Sequence, residues 1–290
     1  MRFTFTESMC DPKQYRTLAI EAEQAGYDSF AVPESILYPQ ESNSKYPYTP
    51  DGDREFLDGK PFIDPFVLIG ALGAVTERLR FATFVIKLPM RHPVLAAKQA
   101  TSAAVMTDNR LVFGVGLSPW PDDFAALDIP WERRGKRLDE SIEILRGLQT
   151  GDYFGFHGEI FDLDPIKLCP APTQPIPILI GGHSDAALRR AARTGDGWMH
   201  GGGGEASDFE AAIARIQELR KEYGREREPF EIHAISRDAY TPDGIKRLED
   251  LGVTDAIVGF RNAYGEDAMT LQNKIDALKG FADSVIAKSR

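Results

Sequence analysis

Cysteine is almost absent. Cys10 and Cys169 are the only two in 290 residues, too few for a disulfide framework and in keeping with a reducing compartment. Positive charge is also in short supply. Against 44 acidic residues stand 34 lysines and arginines, and the formal charge of -10 argues against a nucleic-acid partner. Long apolar runs are missing: the longest, 65–75, carries two glycines and is far too short to span a bilayer. The N-terminal MRFTFTESMC alternates like a strand and lacks the continuous apolar core of a secretory signal, so a cytoplasmic location is expected. The five histidines, His92, His157, His183, His200 and His233, have no metal-ligand spacing, so no metal site is expected. Nor is there a P-loop, a zinc-protease pair or a nucleophile elbow. Gly114-Val115-Gly116 opens like a dinucleotide fingerprint, but the third glycine is missing and Pro119 and Pro121 interrupt the helix that should follow. His183 and Asp185 have no nucleophile that the sequence places beside them, which leaves no basis for a triad.

What is present is a repeating rhythm. Strand-like segments at 2–6, 29–32, 79–86, 111–115, 176–180, 197–200, 230–236 and 255–260 alternate with helical patterns. The helices fall at 12–25, near 65–76, at 93–107, 132–148, from Ser184, and at 207–223, 243–251 and 267–287. Eight strand-helix pairs in 290 residues predict a single-domain α/β protein of (β/α)8 barrel type with a long insertion, 36–60, after strand two. A doubly wound open sheet is the alternative and usually needs fewer repeats. In a barrel the active site lies on the face built by the strand-to-helix loops. The Pro-rich segment 152–175 precedes strand five instead, and is expected to be structural, at the opposite end or on the outside.

The fifth loop is the most telling. A strand runs straight into Gly181 and Gly182, and an Ala-rich helix follows from Ser184. Two residues without Cβ allow close approach to main-chain N–H groups, and the positive end of the helix favours an anion such as a phosphate. A plain tight turn with Ser184 as N-cap is the alternative at this level.

Three stretches resemble the luciferase-like flavin or deazaflavin oxidoreductases: AIEAEQAGYDSFAVPES, the segment from TERLRF to SIEIL, and the segment from FHGEIF to TGDGW. The loop after strand two, with Tyr46, Pro47 and Tyr48, is similar to that of actinobacterial F420-dependent oxidoreductases. The resemblance implies a (β/α)8 barrel, a homodimer, and a deazaflavin or isoalloxazine ring at the strand C-termini. It places the cofactor phosphate at Gly181, Gly182 and His183, with Ser184 opening the helix, and the ring against Phe84 and Val85, where relatives often have a non-prolyl cis peptide. Leu117 and Ser118 come to the ring edge. Where such relatives commonly carry Asp-His, this chain has Glu34 and Ser35; these two are the candidate catalytic residues, with the imidazole lost. Where sugar-phosphate dehydrogenases of the family carry a Glu, Pro119 stands, which argues against glucose 6-phosphate as substrate. Asn109 replaces an expected Gly, and Asn tolerates the left-handed turn.

Together these imply hydride transfer between coenzyme F420 and a small organic substrate. The alternatives are a reduced-FMN-dependent monooxygenase and a cofactor-binding protein with little catalysis. Tyr38, Tyr46, Tyr48, Met90 and Trp120 are the expected lining of an apolar substrate pocket. F420 has an oligoglutamate tail beyond its phosphate, for which Lys87, Arg91 and Arg261 are the expected cations.

Overall fold

A computed structural model of the chain describes all residues except Pro47, Tyr48, Pro50 and Gly204. The strands are β1 (Arg2–Thr6), β2 (Ser29–Val32), β3 (Arg80–Thr83), β4 (Ile86–Lys87), β5 (Leu111–Gly116), β6 (Phe154–His157), β7 (Asp162–Ile166), β8 (Ile178–Gly181), β9 (Gly197–His200), β10 (Glu231–Ile235) and β11 (Asp255–Val258). All but β6 and β7 belong to one parallel sheet, in which β1 pairs with β11 and β3 with β5, so the sheet closes into an eight-stave barrel. The third stave is interrupted. It leaves the ladder after Thr83 and returns at Ile86, which pairs with Val115; the Phe84–Val85 peptide between them is cis.

Alternation divides the strand side chains between two cores. Phe3, Phe5, Phe30, Phe81 and Phe113 belong to the large cluster packed with the helices, whereas Ala82, Val112, Leu179 and Met199 form a small separate cluster inside the barrel. The main helices are α1 (Tyr15–Gln24), α2 (Pro65–Gly73), α3 (Pro93–Met106), α4 (Pro121–Ala126), α5 (Arg134–Leu148), α6 (Asp185–Thr194), α7 (Ala206–Glu222), α8 (Pro242–Asp250) and α9 (Leu271–Phe281). Local chemistry starts several of them. Asp64 caps α2 ahead of Pro65, Thr241 caps α8 ahead of Pro242, and Ser184 caps α6.

Three expectations change in detail. Pro121 does not break a helix but opens α4, because a first-turn proline gives up no intrahelical hydrogen bond. Segment 152–175 holds the antiparallel hairpin β6–β7, braced by Glu140, whose carboxylate accepts the N–H groups of Glu159, Ile160 and Phe161. Residues 267–270 precede the last helix rather than belonging to it, since Thr270 is its cap. Asn109 adopts the left-handed conformation, φ 63°, as its side chain permits.

At the N-terminal mouth, first residues of four strands meet around a buried imidazole. Arg2 binds Asp255 at 2.7 Å, Arg80 binds Glu231 at 2.9 Å, and His233 Nε2 lies 2.6 Å from Glu231 and 3.1 Å from Asp255. Ligand-type atoms of Glu231, His233 and Asp255 lie within 4.8 Å of one another, a grouping that spacing along the chain did not reveal. The two guanidiniums already balance the two carboxylates, so the cluster closes the barrel's far end as an ion-paired plug.

Candidate active site at the C-terminal mouth

A cavity of about 450 Å³ opens at the C-terminal ends of the strands. Its floor is Phe84 and Val85, which pack on the inner cluster of Ala82, Val112, Leu179 and Met199. Gly116 and Gly181, ending β5 and β8, flank Val85 closely: a Cβ on Gly116 would stand 3.0 Å from Val85 Cγ2, and one on Gly181 3.1 Å from Cγ1. The glycines therefore let β5 and β8 approach the Val85 side chain closely.

Gly181 and Gly182 line the cavity and lead into α6; His183 and Ser184 stand beyond its lining. Gly182 has φ 123°, a conformation L side chains rarely adopt, and its carbonyl accepts Trp198 Nε1–H at 2.8 Å. Ser184 Oγ accepts the N–H of Ala187 at 3.3 Å, so the remaining first-turn donors of α6 keep no intrahelical acceptor. The carboxylate of Asp185 in that turn is held by Arg189 at 2.6 Å and Arg215 at 3.1 Å, bonds that keep it below the ordinary carboxylate range. His183 stacks on His200 with ring centroids 4.7 Å apart. Burial, and for His200 also the neighbouring His183, lowers both imidazoles, His200 to about 4, so at neutral pH the pair is uncharged.

Glu34 and Ser35 both line the cavity. The Glu34 carboxylate is itself buried. Oε2 accepts the main-chain N–H of Lys87 at 2.6 Å, and Oε1 stands 2.6 Å from Arg91 in an ion pair without hydrogen-bond geometry. Burial pushes this carboxyl above the ordinary range, against the pull of Arg91 and the Lys87 N–H. On the opposite wall the Lys87 ammonium binds Asp123 at 2.6 Å, Asp123 accepts Ser118 Oγ–H at 2.8 Å, and Ser118 Oγ accepts the N–H of Trp120 at 3.0 Å. This chain of contacts fixes the loop that presents Leu117, Ser118 and Trp120 to the cavity.

Above lies an aromatic roof. Tyr46 stacks on Trp120 at 5.5 Å, and Phe56 meets Tyr46 at 5.1 Å and Tyr264 at 5.0 Å, so three loops interlock through their rings. Arg54 clasps the outside, 4.2 Å above the Trp120 ring and 3.1 Å from Asp122, which also accepts the hydroxyls of Ser42 and Ser44.

Other expected lining residues sit elsewhere. Tyr38 lies under the Arg54 guanidinium, 5.5 Å from it, and Met90 is buried in the turn 88–90; neither lines the cavity. Tyr48 lies outside the described residues. The three expected tail cations are a correction. Lys87 is paired with Asp123, Arg91 with Glu34, and Arg261 with Glu7 at 2.6 Å, because each is drawn inward by a buried carboxylate.

The family model of the luciferase-like monooxygenases matches residues 4–273. This chain belongs to that family. An uncharacterised protein of Mycobacterium tuberculosis is 61% identical over 290 residues, covering 99% of this chain and 100% of its own length. An F420-dependent glucose-6-phosphate dehydrogenase of Nakamurella multipartita is 26% identical over 274 residues, 92% of this chain and 76% of that one. Among solved structures, a monooxygenase from Streptomyces bottropensis superposes with a TM-score of 0.79 at 17% identity, covering 100% of both chains. The coenzyme F420-dependent tetrahydromethanopterin reductase of Methanopyrus kandleri gives 0.76 at 15%, covering 100% of this chain and 99% of that one.

Within this luciferase-like site, several residues were missed by sequence reasoning. Glu7, Phe56, Phe62 and Tyr264 line the cavity, as does Arg261, which the sequence placed on this face only as a tail cation. Glu7, Arg261 and Tyr264 stand in the loops after the first and last strands, which the barrel rule itself assigns to the active face. Phe56 and Phe62 lie in and just after the insertion, where no periodicity marks a side chain as inward.

Proposed function

We propose that this luciferase-like protein is an F420-dependent oxidoreductase acting on a small organic substrate. The observation that carries the reading is the run of cavity lining from Val85 to Gly181 and Gly182, two residues without Cβ that lead into the N-terminus of α6 and its main-chain donors. A planar ring on Val85 with a phosphate at the turn fits these residues. F420-dependent relatives support the choice of cofactor. When bound, the deazaflavin would give or take the hydride; the protein supplies position and electrostatics.

In this reading Gly182 and the first turn of α6 bind the phosphate, and His183 backs the turn as a neutral ring. Phe84 and Val85 support the ring, and Leu117 and Ser118 set its edge. Glu34 acts as a positioning residue that ties β4 to the wall, leaving the Ser35 hydroxyl on the cavity surface to donate to a substrate oxygen. The aromatic roof excludes water. We also propose a homodimer in which α2 and α3 are covered, since Val67, Leu95 and Met106 are more than half exposed there; Leu95→Glu should then yield monomers in sedimentation.

The activity test supplies reduced F420 without oxygen and follows its reoxidation with a panel of carbonyl and quinone acceptors. Turnover with at least one supports the assignment. Protein-dependent transfer of oxygen to a substrate when reduced FMN is supplied, and none of this reoxidation, would make the protein a monooxygenase instead.

A further inference from the structure

Four charged residues line the cavity among those described: Glu7, Glu34, Lys87 and Arg261. Each is already neutralised within the wall. Glu7 pairs with Arg261 at 2.6 Å, Glu34 with Arg91 at 2.6 Å and Lys87 with Asp123 at 2.6 Å, and Arg261 also donates to the carbonyl of Ser8. A charged substrate in this cavity would lose its hydration and meet no unpaired counter-ion, and an unpaired buried charge is strongly disfavoured. The same cavity is lined by the interlocked set of Tyr46, Phe56, Trp120 and Tyr264. Their ring faces and edges favour a partner with an apolar, planar body.

We infer that the substrate is an uncharged molecule with an aromatic or comparably flat apolar ring, held between the Phe84–Val85 floor and the aromatic roof, and that phosphorylated or carboxylated analogues are rejected. The inference rests on reading this cavity as the substrate site, and extends it to the class of substrate. It also separates this chain from its relative named for glucose 6-phosphate, an anionic sugar. The internal pairing does the rejecting. Arg261 is the cation best placed to receive an anion, and Glu7 keeps it from doing so, with Asp267 more distant at 3.8 Å.

The test uses two probes of matched shape, 2-acetylnaphthalene and 2-naphthoate, with glucose 6-phosphate as a third. Binding is measured by equilibrium dialysis to the full-length protein, with and without F420. The neutral ketone should bind at least about tenfold more tightly than the carboxylate, and glucose 6-phosphate should not compete. Phe56→Ala and Tyr264→Ala, in loops and checked by circular dichroism, should each weaken the ketone several-fold and leave F420 binding unchanged. Glu7→Gln supplies a gain that misfolding cannot mimic: with Arg261 released, 2-naphthoate should bind more tightly than to the parent. Equal or tighter binding of 2-naphthoate or glucose 6-phosphate by the parent protein, no binding of the ketone, or indifference to all three substitutions overturns the inference. Ketone binding that responds to the roof while F420 fails to bind would retain this inference and refute the cofactor assignment.

Discussion

The ammonium of Lys87 lies 2.6 Å from the carboxylate of Asp123, both side chains nearly sealed from solvent. The same residue's main-chain N–H binds Glu34, so one lysine joins the loop after β2 to α4. Removing one partner would strand a buried charge. Asp123→Asn should therefore cost about 3 kcal/mol of stability, and Lys87→Met with Asp123→Leu should recover most of it. Denaturant titrations of the three proteins check this; an Asp123→Asn midpoint equal to the parent's would contradict it.

Gly182 offers a test of the phosphate turn. Its φ of 123° disfavours any side chain, and an added Cβ would stand 3.0 Å from Ala187 Cβ. Gly182→Ala should weaken cofactor binding by roughly 2 kcal/mol through displaced charge-assisted bonds, with the barrel's circular dichroism intact. Unaltered affinity in a folded variant would move the phosphate elsewhere.

For Glu34 the expectation concerns pH. Burial raises its carboxyl above the ordinary value of 4.5, despite Arg91 and the Lys87 N–H. Turnover should consequently show an acid limb at a pH above that value, as the Arg91 pair is lost on protonation. Glu34→Gln keeps an acceptor for Lys87, and should lower kcat and abolish the limb. A parental rate and profile in the variant would leave Glu34 without a role in turnover.

Acid should act first on the imidazoles behind the turn. The unfolded chain binds a proton at the ordinary histidine value of 6.5, whereas folded His200 does so only near 4, its burial and His183 both opposing charge. Stability should thus fall as pH drops from 6.5 towards 4, because the unfolded state binds more protons there. Glu231 acts lower. Burial would raise it, but His233 and Arg80 outweigh that and hold it at about 2, so its contribution is present above 4.5 and fades as pH falls towards 2. Unfolding free energies at several pH values should show the upper decline flattened in His200→Phe. An identical upper decline in the variant would assign it to other groups.

The eightfold repeat and the Gly181–Gly182 turn were readable because periodicity and the want of a Cβ are local properties. Ser184 and Asn109 adopt their expected conformations for the same reason. Pairing between distant charges was not readable. Arg261 meets Glu7 across 254 positions, and nothing near either residue announces a partner. The interruption of the third stave at Phe84–Val85 was not marked by periodicity, since the strand-like pattern continues through it; only the family resemblance pointed to a cis peptide there, and the peptide is cis. Met90 illustrates the limit of loop-counting: it follows β4 on the active face, yet its turn folds it into the wall.

Equilibrium titration of the purified protein with oxidised F420 and with FMN addresses the cofactor most directly. F420 should bind more tightly than FMN, by about tenfold or more. With Lys87, Arg91 and Arg261 each bound to a carboxylate, raising salt should cost only a modest loss of F420 affinity. Tighter binding of FMN, accompanied by oxygen-dependent turnover when reduced FMN is supplied, would contradict the assignment.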